Sequence, residues 1–198
     1  MFAYIKGSLE EKTSNYVVID VSGIGYKIFM SASSINGIGE LGNIVKVHTH
    51  YYVREDNISL YGFLTNEELK MFELLLSVSG IGAKSAISML SNITPSDFAL
   101  AIITNNVAAL TKIPGIGAKS AQRIILELKD KLKDAENVSK AEESNKQENN
   151  ENMKDALDAL QILGYNKKEI EKVLEKLELE DLSTENIIKN ALKYLSRN

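Results

Sequence analysis

The sequence predicts a multidomain α+β protein in which a small β-barrel, a helical domain, a linker and a three-helix bundle follow one another. Three observations lead to this prediction. Short runs of β-branched and aromatic residues, separated by glycine turns, fill residues 1–63. Apolar residues recur at helical spacing over residues 64–133 and again over residues 153–198. The stretch between them, residues 134–152, is polar and acidic.

The composition bounds the function classes. The chain has 198 residues, of which 44% are hydrophobic, enough for one large domain or for two to three small ones. It has no cysteine, which excludes disulfides, cysteine-ligated zinc, iron–sulfur clusters and thiol catalysis. No basic segment precedes an apolar run at the start, and no stretch approaches the roughly 20 apolar residues that span a bilayer. We expect a soluble, cytoplasmic protein with no membrane partner, metal or cofactor.

The first segment contains four clear strand candidates. The runs YVVIDV (16–21) and YKIFM (26–30) flank the turn signal SGIG. The long run IVKVHTHYYVR (44–54) is followed by ISLYGF (58–63) after only three residues, EDN. Short strands joined by such turns predict a small antiparallel barrel.

The second segment carries helix-start signals. Thr65 and Glu68 have the spacing of a capping box, with Thr at the N-cap and Glu at the third helical position. Thr94 followed by Pro95 predicts the start of another helix, with proline in the first turn. The run AQRIILELKDKL, residues 121–132, places its apolar side chains on one side of a helix.

The last two segments are a linker and a bundle. Residues 134–152 contain no large aliphatic or aromatic residue except Val138, and six of them are acidic against two that are basic. Such a segment buries too little apolar surface to offset the entropy cost of ordering, so we predict a flexible linker. Residues 153–198 regain helical periodicity, with a helix end at Gly164 and a helix cap at Asn166. This pattern predicts a three-helix bundle.

Charge is distributed unevenly along the chain. The net charge of −4 argues at first against a nucleic-acid partner. It divides, however, into −1 for residues 1–63, +2 for residues 64–133 and −5 for residues 134–198. The positive segment contains a repeat, because the seven residues GIGAKSA occur at 80–86 and again, 35 positions later, at 115–121.

Each copy of the repeat joins an apolar helix to the start of another helix. The glycines permit tight or left-handed backbone and leave the amide groups uncovered. The unpaired N–H groups and the positive dipole end of the second helix suit one phosphate. A lysine and a serine follow in each copy, and an arginine lies one helical turn after the second lysine. The predicted phosphate-binding residues are Gly80, Gly82, Lys84, Ser85, Gly115, Gly117, Lys119, Ser120 and Arg123.

Other interpretations of the turn are weaker. Neither copy has the P-loop spacing, and Ser85 or Ser120 stands where a dinucleotide-binding fingerprint needs its third glycine. One such turn alone is equally a helix C-cap, but two near-identical copies with lysine and serine in place favour binding. Two phosphate sites on one rigid unit indicate a polymer of phosphates. Main-chain contacts to phosphates carry no base information, so we predict structure-selective, sequence-indifferent DNA binding.

The paired turns resemble helix-hairpin-helix DNA-binding motifs. Together with VREDNISLYGF at 53–63, the N-terminal barrel and the tethered C-terminal bundle, they resemble the RuvA family of Holliday-junction-binding proteins. The resemblance spans the whole chain and is loosest in the linker. It implies an OB-type barrel over 1–63, a tandem helix-hairpin-helix domain over 64–133, and a small mobile domain over 153–198.

The resemblance also implies partners and roles. It implies a homotetramer, single or stacked as two, that holds a four-way DNA junction open and nearly planar in recombination and repair. It implies no catalytic residue in this chain, because the motor is a RuvB-type hexameric ATPase; a RuvC-type junction resolvase is a further implied partner. Glu55 and Asp56 then become an acidic pin at the junction centre. Taken alone, the Glu-Asp-Asn loop fits an ordinary soluble turn better.

The bundle contains the predicted contact with the ATPase. The residues LGY (163–165) resemble the loop after the first helix of ubiquitin-associated-type (UBA-like) bundles. We predict contacts from Leu163, Tyr165 and Leu182. The alternative, which applies most to Leu163, is that these side chains fill a very small core.

Two other function classes compete with this interpretation. A DNA glycosylase/lyase would use Lys119 as its nucleophile, but it also needs an aspartate in an apolar pocket, and Asp130 lies on a charged helix tail. A protein–protein adaptor whose hairpins no longer bind DNA agrees with the acidic total. It predicts no salt-dependent DNA binding, whereas a phosphate binder requires it.

Overall fold

The structure is a computed structural model that describes residues 2–55, 57–138, 150–177 and 183–195. Its N-terminal part is built from five strands and one short helix. These are β1 (Tyr4–Lys12), β2 (Tyr16–Val21), β3 (Ile24–Phe29), α1 (Ala32–Gly37), β4 (Ile44–Val53) and β5 (Ile58–Phe63).

The five strands close into an OB-type barrel in the order β1-β2-β3-β5-β4, because β1 also pairs with β4. The pair β3–β5, which meets at Phe29 and Tyr61, is parallel. This departs from the predicted antiparallel arrangement, since a closed ring with an odd number of strands cannot alternate direction at every pair. Alternate residues such as Leu9, Ile19 and Val47 fill the interior and are fully buried.

The remaining described chain is helical. The helices are α2 (Asn66–Leu76), α3 (Ala83–Leu90), α4 (Pro95–Ile103), α5 (Val107–Thr111), α6 (Ala118–Val138), α7 (Asn150–Ile162), α8 (Lys167–Leu174) and α9 (Thr184–Leu195). The predicted start signals are confirmed: Thr65 and Glu68 form a capping box, and Thr94 caps a helix with proline in its first turn. Asn166 likewise forms a capping box with Glu169. Within the described residues no single helix is long and apolar enough to cross a membrane; α3 and α4 meet that criterion only as a pair bent by 102°.

The two ends of the predicted linker, residues 134–152, are helical. Helix α6 continues to Val138 and α7 begins at Asn150, while residues 139–149 lie outside the described residues. Lys, Glu and Ala are good helix formers, so a polar run rich in them can prolong an existing helix. The polar composition that predicted a linker therefore does not by itself end a helix.

An aromatic cluster joins the barrel to the helical domain. Phe72 on α2 is fully buried, with its ring centroid 5.1 Å from that of Tyr61 and 4.9 Å from that of Phe63. The ring of His50 on β4 lies 5.3 Å away, and its Nδ1 is 3.0 Å from a carboxylate oxygen of Glu73. Strands β4 and β5 are therefore packed directly against α2.

A second connection runs from α1 to the end of α3. The backbone N–H of Ala32 donates to Ser91 Oγ at 3.1 Å, and Ser33 Oγ donates to the carbonyl of Leu90 at 3.2 Å. Because α2 and α3 are both tied to the barrel, the turn between them has a fixed position relative to β4 and β5.

The C-terminal bundle packs against the helical domain. The hydroxyl of Tyr165 donates a hydrogen bond to the buried carboxylate of Glu67 on α2. Lys70 Nζ lies 3.4 Å from the centroid of the Tyr165 ring and donates to the carbonyl of Gly164 at 3.5 Å. Helices α7 and α9 both contact α4, so the bundle and the helical domain share one core.

We predict that Tyr165→Phe weakens this packing. The change leaves the ring but removes the hydroxyl, so the buried Glu67 loses its donor at a cost of about 1–3 kcal/mol. Urea unfolding and hydrogen exchange along α2 measure the effect. Tyr194→Phe is the matched control, because that ring is 49% exposed. Equal stability of the two variants would contradict the expectation.

Candidate nucleic-acid interface

The two copies of the sequence repeat have the same backbone structure. We call residues 77–82, between α2 and α3, hairpin 1, and residues 112–117, between α5 and α6, hairpin 2. Gly80 in hairpin 1 has φ +82° and Gly115 in hairpin 2 has φ +86°. The shift of 35 residues in sequence is therefore a repeat in three dimensions.

The hydrogen bonds of the hairpins repeat as well. Ile81 N–H donates to the Val78 carbonyl at 3.1 Å, and the bond from Ile116 to Ile113 has the same length. The first bond of the following helix is 2.9 Å from donor to acceptor in both copies. Ile116 is buried and Ile81 is half-buried against the same core, so each anchors its turn.

The glycines of each hairpin have two different roles. Gly80 and Gly115 adopt left-handed backbone, which strains any residue with a Cβ. A Cβ built on Gly82 or Gly117 meets no atom within 4 Å, and Gly82 has an ordinary φ of −97°. The fold does not require glycine at these second positions. A side chain at Gly82 or Gly117 would instead cover the open N-terminus of the helix that follows.

The amide ends of the second helices are available to a ligand. Gly82 is the N-cap of α3 and makes no side-chain capping bond. Lys84, Ser85 and Lys119 are exposed, and Ser120 is half-buried. Within the described part of the chain neither lysine forms an ion pair, so both ammonium groups can reach an incoming anion. The predicted phosphate-binding residues thus lie on the surface, in two equivalent groups.

Arg123 belongs to α6, which starts at hairpin 2, but its side chain lies beside hairpin 1. It is exposed on α6, yet a Cβ on Gly80 would be 3.5 Å from its guanidinium nitrogen. Sequence spacing paired Arg123 with Lys119 at the start of α6. The structure additionally brings it to Gly80 of hairpin 1, so hairpin 1 has a cation from α6 as well as Lys84 from the helix that follows it.

Glu127 is a residue of this site that sequence reasoning missed. Its carboxylate accepts a hydrogen bond of 3.0 Å from the backbone N–H of Ser79 in hairpin 1. The equivalent residue in hairpin 2 is Pro114, which has no N–H to donate. Aligning the two copies would have revealed this unmatched donor, but only the packing of α6 on hairpin 1 identifies the acceptor.

Of the predicted acidic pin, Glu55 lies at the tip of the β4–β5 ribbon. The backbone N–H of Arg54 donates to the Asn57 carbonyl at 2.8 Å and closes the turn. Glu55 is exposed at the tip, whereas Asp56 lies outside the described residues. Arg54 Nε donates to the Tyr52 hydroxyl at 2.8 Å, which holds the guanidinium along the strand. The carboxylate of Glu55 therefore faces solvent.

Two of the three predicted ATPase contacts are buried. Leu163 is 1% exposed and Tyr165 is 9% exposed, while Leu182 lies outside the described residues. Burial raises the pKa of Tyr165, and its hydrogen bond to Glu67 raises it further. The neutral hydroxyl stabilises the packing at neutral pH, and this contribution is lost only as pH rises toward the elevated pKa. Because Tyr165 packs on Glu67 and Lys70 of α2, contact of a partner with Tyr165 requires the bundle to separate from α2.

The OB-type barrel followed by two equivalent hairpins defines a tandem helix-hairpin-helix DNA-binding protein. Three family models match the chain in succession. The model described as the RuvA N terminal domain matches residues 1–62, a SAM-like helix-hairpin-helix tandem matches 72–130, and the RuvA C-terminal domain matches 151–196.

Curated relatives agree over the full length. A protein named Holliday junction branch migration complex subunit RuvA from Acetivibrio thermocellus is 54% identical, with 100% of both chains covered. Its namesake from Ruminiclostridium cellulolyticum is 47% identical, covering 98% of this chain and 100% of the relative. Another, from Clostridium perfringens strain SM101, is 45% identical, with full coverage of both chains. The chain belongs to the RuvA family.

We predict that alanine at the second glycine of each hairpin affects DNA binding, whereas alanine at the first glycine affects stability. Gly82→Ala and Gly117→Ala should leave the unfolding free energy nearly unchanged but weaken DNA binding, on the order of tenfold, because a methyl group covers the amide face. Gly80→Ala and Gly115→Ala should lower the unfolding free energy by about 1 kcal/mol each through left-handed strain.

Thermal unfolding and DNA titration of the four single variants test this distinction. Intact DNA binding by the Gly82 and Gly117 variants would show that the amide face is not the ligand site.

Proposed function

We propose that this protein binds four-way (Holliday) DNA junctions by their shape, through phosphate contacts from both hairpins of each subunit. The observation that carries the proposal is the repeated hairpin, with its open helix N-terminus and exposed lysine. Each duplex arm has two backbones, and two equivalent phosphate sites on one rigid domain match that need. The relatives are named as Holliday junction subunits, which supports the choice of a junction over plain duplex.

The protein works in this proposal as a homotetramer. Four subunits around a fourfold axis present eight hairpins to four equivalent arms and hold the junction open and nearly planar. One tetramer, or two stacked face to face, encloses the DNA. The acidic pins then lie near the centre, where Glu55 and Asp56 repel crossing phosphates and keep the strands apart.

The protein has no catalytic role of its own in this proposal. It recruits and regulates a RuvB-type hexameric ATPase through its C-terminal bundle, and a RuvC-type resolvase acts on the same junction. Together these proteins carry out branch migration during recombination and DNA repair, in the cytoplasm. Against a glycosylase/lyase, Lys119 and Asp130 are both exposed on α6, whereas that chemistry needs them in one apolar pocket.

We predict that the chain prefers an immobile four-way junction over linear duplex of the same sequences, in chelator and with competitor duplex. Binding should weaken steeply with salt, because phosphate contacts release counterions. Changing Lys84 and Lys119 together to Ala should abolish most of the binding and flatten the salt slope by about one per lost phosphate contact.

Gel-shift titrations at several salt concentrations measure both quantities. The control variant, Lys167→Ala with Lys172→Ala, removes the same charge from exposed positions on α8 and should bind like the native chain. Equal binding to both DNAs would reduce the protein to a general duplex binder. No binding at all would favour the adaptor function.

The acidic pin has its own test. Glu55→Gln with Asp56→Asn removes two charges and keeps the size of the side chains. We expect tighter binding to linear duplex by several-fold and a smaller preference for the junction, because like-charge repulsion of phosphates is gone. Glu171→Gln with Glu175→Gln, two exposed residues at α8, is the charge-matched control for the two DNA affinities. Unchanged selectivity and unchanged branch migration with the ATPase would leave the loop as an ordinary turn.

A further inference from the structure

Two side chains of α6 reach across to hairpin 1. The carboxylate of Glu127 accepts the N–H of Ser79 at 3.0 Å, and the guanidinium of Arg123 lies beside Gly80. The two residues are one helical turn apart, so they project from the same face of α6. Hairpin 1 is thus attached to the helix that hairpin 2 begins.

This attachment runs in one direction only. Thirty-five residues before Arg123 and Glu127, the corresponding positions of α3 and the turn after it hold Ser88 and Asn92. The Asn92 side chain donates to the Ser88 carbonyl of its own helix at 2.7 Å. Hairpin 2 also has Pro114 in place of the donor, so it lacks the N–H for an equivalent bond. The bond between Glu127 and Ser79 therefore has no counterpart in the other half of the repeat. It is a contact between the two halves that the repeated sequence does not encode.

A carboxylate at this place opposes DNA binding. It lies beside Gly80 and the lysine-bearing turn, where a phosphate is expected, and like charges in proximity repel. It also occupies an N–H group that could otherwise face the phosphate. A carboxylate at this position is understandable if fixing the geometry of hairpin 1 favours DNA binding more than these two effects oppose it.

We propose that Glu127 is a positioning residue, whose hydrogen bond to Ser79 holds hairpin 1 in register with hairpin 2 so that both engage one duplex arm. We call this hydrogen bond the brace. The inference rests on the proposed function, since it concerns how junction arms are gripped. A misplaced hairpin weakens every arm, and on a junction that loss is repeated over up to four arms, whereas a linear duplex engages fewer. The ratio of junction to duplex affinity therefore reports on the brace.

Three substitutions at one position separate reach from charge. Glu127→Gln keeps an acceptor oxygen at the same reach but has no charge. Glu127→Asp keeps the charge but is one methylene shorter, and Glu127→Ala removes both. The full chain is used in each case, with thermal unfolding as the check on folding. The readouts are junction and duplex affinities by gel-shift titration and hydrogen exchange of the Ser79 amide by NMR.

If the brace holds hairpin 1, the junction-to-duplex affinity ratio and the Ser79 exchange rate of the Gln variant should match those of the native chain. In the same two quantities the Asp variant should match the Ala variant. The junction-to-duplex ratio should fall by at least about fivefold in the Asp and Ala variants, and the Ser79 amide should exchange several-fold faster in both. Glu127→Gln should retain the native ratio, and both of its affinities should rise because a negative charge near the phosphates is gone. Charge effects act on both DNAs and largely cancel in the ratio.

Two results would overturn the inference. If Asp matches the native residue while Gln matches Ala, Glu127 acts through its charge and not through the brace. If Ser79 exchange is the same in all four proteins, the hydrogen bond does not hold the hairpin. A native chain with no junction preference would instead refute the proposed function, and the Ser79 exchange would still decide whether the brace exists.

Discussion

The packing of Phe72 between the barrel and the helical domain is the contact on which the geometry of the site depends. Its ring is fully buried against Tyr61 and Phe63 of β5 and against His50 of β4. Aromatic contacts of this kind add specific geometry to the burial of a large apolar surface. They set α2 at a fixed position relative to the strands that carry Glu55, and hence they set the distance between the acidic loop and hairpin 1. The hydrogen bonds from α1 to the end of α3 support the same placement from the other side of the turn.

Much of the fold could be predicted from local signals. The capping box at Thr65, the proline in the first turn of α4 and the cap at Asn166 each act within one helical turn, so the sequence alone contains them. The strands β2, β4 and β5 are likewise long runs of β-branched and aromatic residues. Strand β1 and the short helices α1 and α5 were not predicted, because their stability comes mainly from packing against distant elements.

The candidate site likewise has local features, which the sequence predicted, and contacts between distant residues, which it did not. The glycines and lysines of both hairpins were predicted because a repeat makes a local pattern visible. The position of Arg123 beside Gly80 and the bond from Ser79 to Glu127 join residues more than 40 positions apart. No periodicity within one helix indicates which distant loop its exposed face will contact. The burial of Tyr165 against Glu67 was missed for the same reason, since it depends on how two domains pack.

The acidic net charge of the chain is compatible with a phosphate-binding surface because the charges are segregated. The negative excess lies in the C-terminal residues, while the helical domain carries +2. Around the hairpins Lys84, Lys119 and Arg123 are exposed, and Gly82 caps α3 without a side-chain hydrogen bond. Glu127 and Glu55 are negative charges close to DNA in the proposed complex, where we propose that the first holds a hairpin and the second separates strands. Selectivity for a junction then comes from shape more than from total attraction.

The most direct test of the central claim is hydrogen exchange of the hairpin amides with and without an immobile four-way junction. If both hairpins bind phosphate, the amides at residues 82–84 and 117–119 should be protected together and to a similar degree, because their backbone geometry is the same. The exposed helix α8 should show no change. Protection at only one hairpin, or at neither, would contradict the claim that the repeated turn is a pair of equivalent phosphate sites.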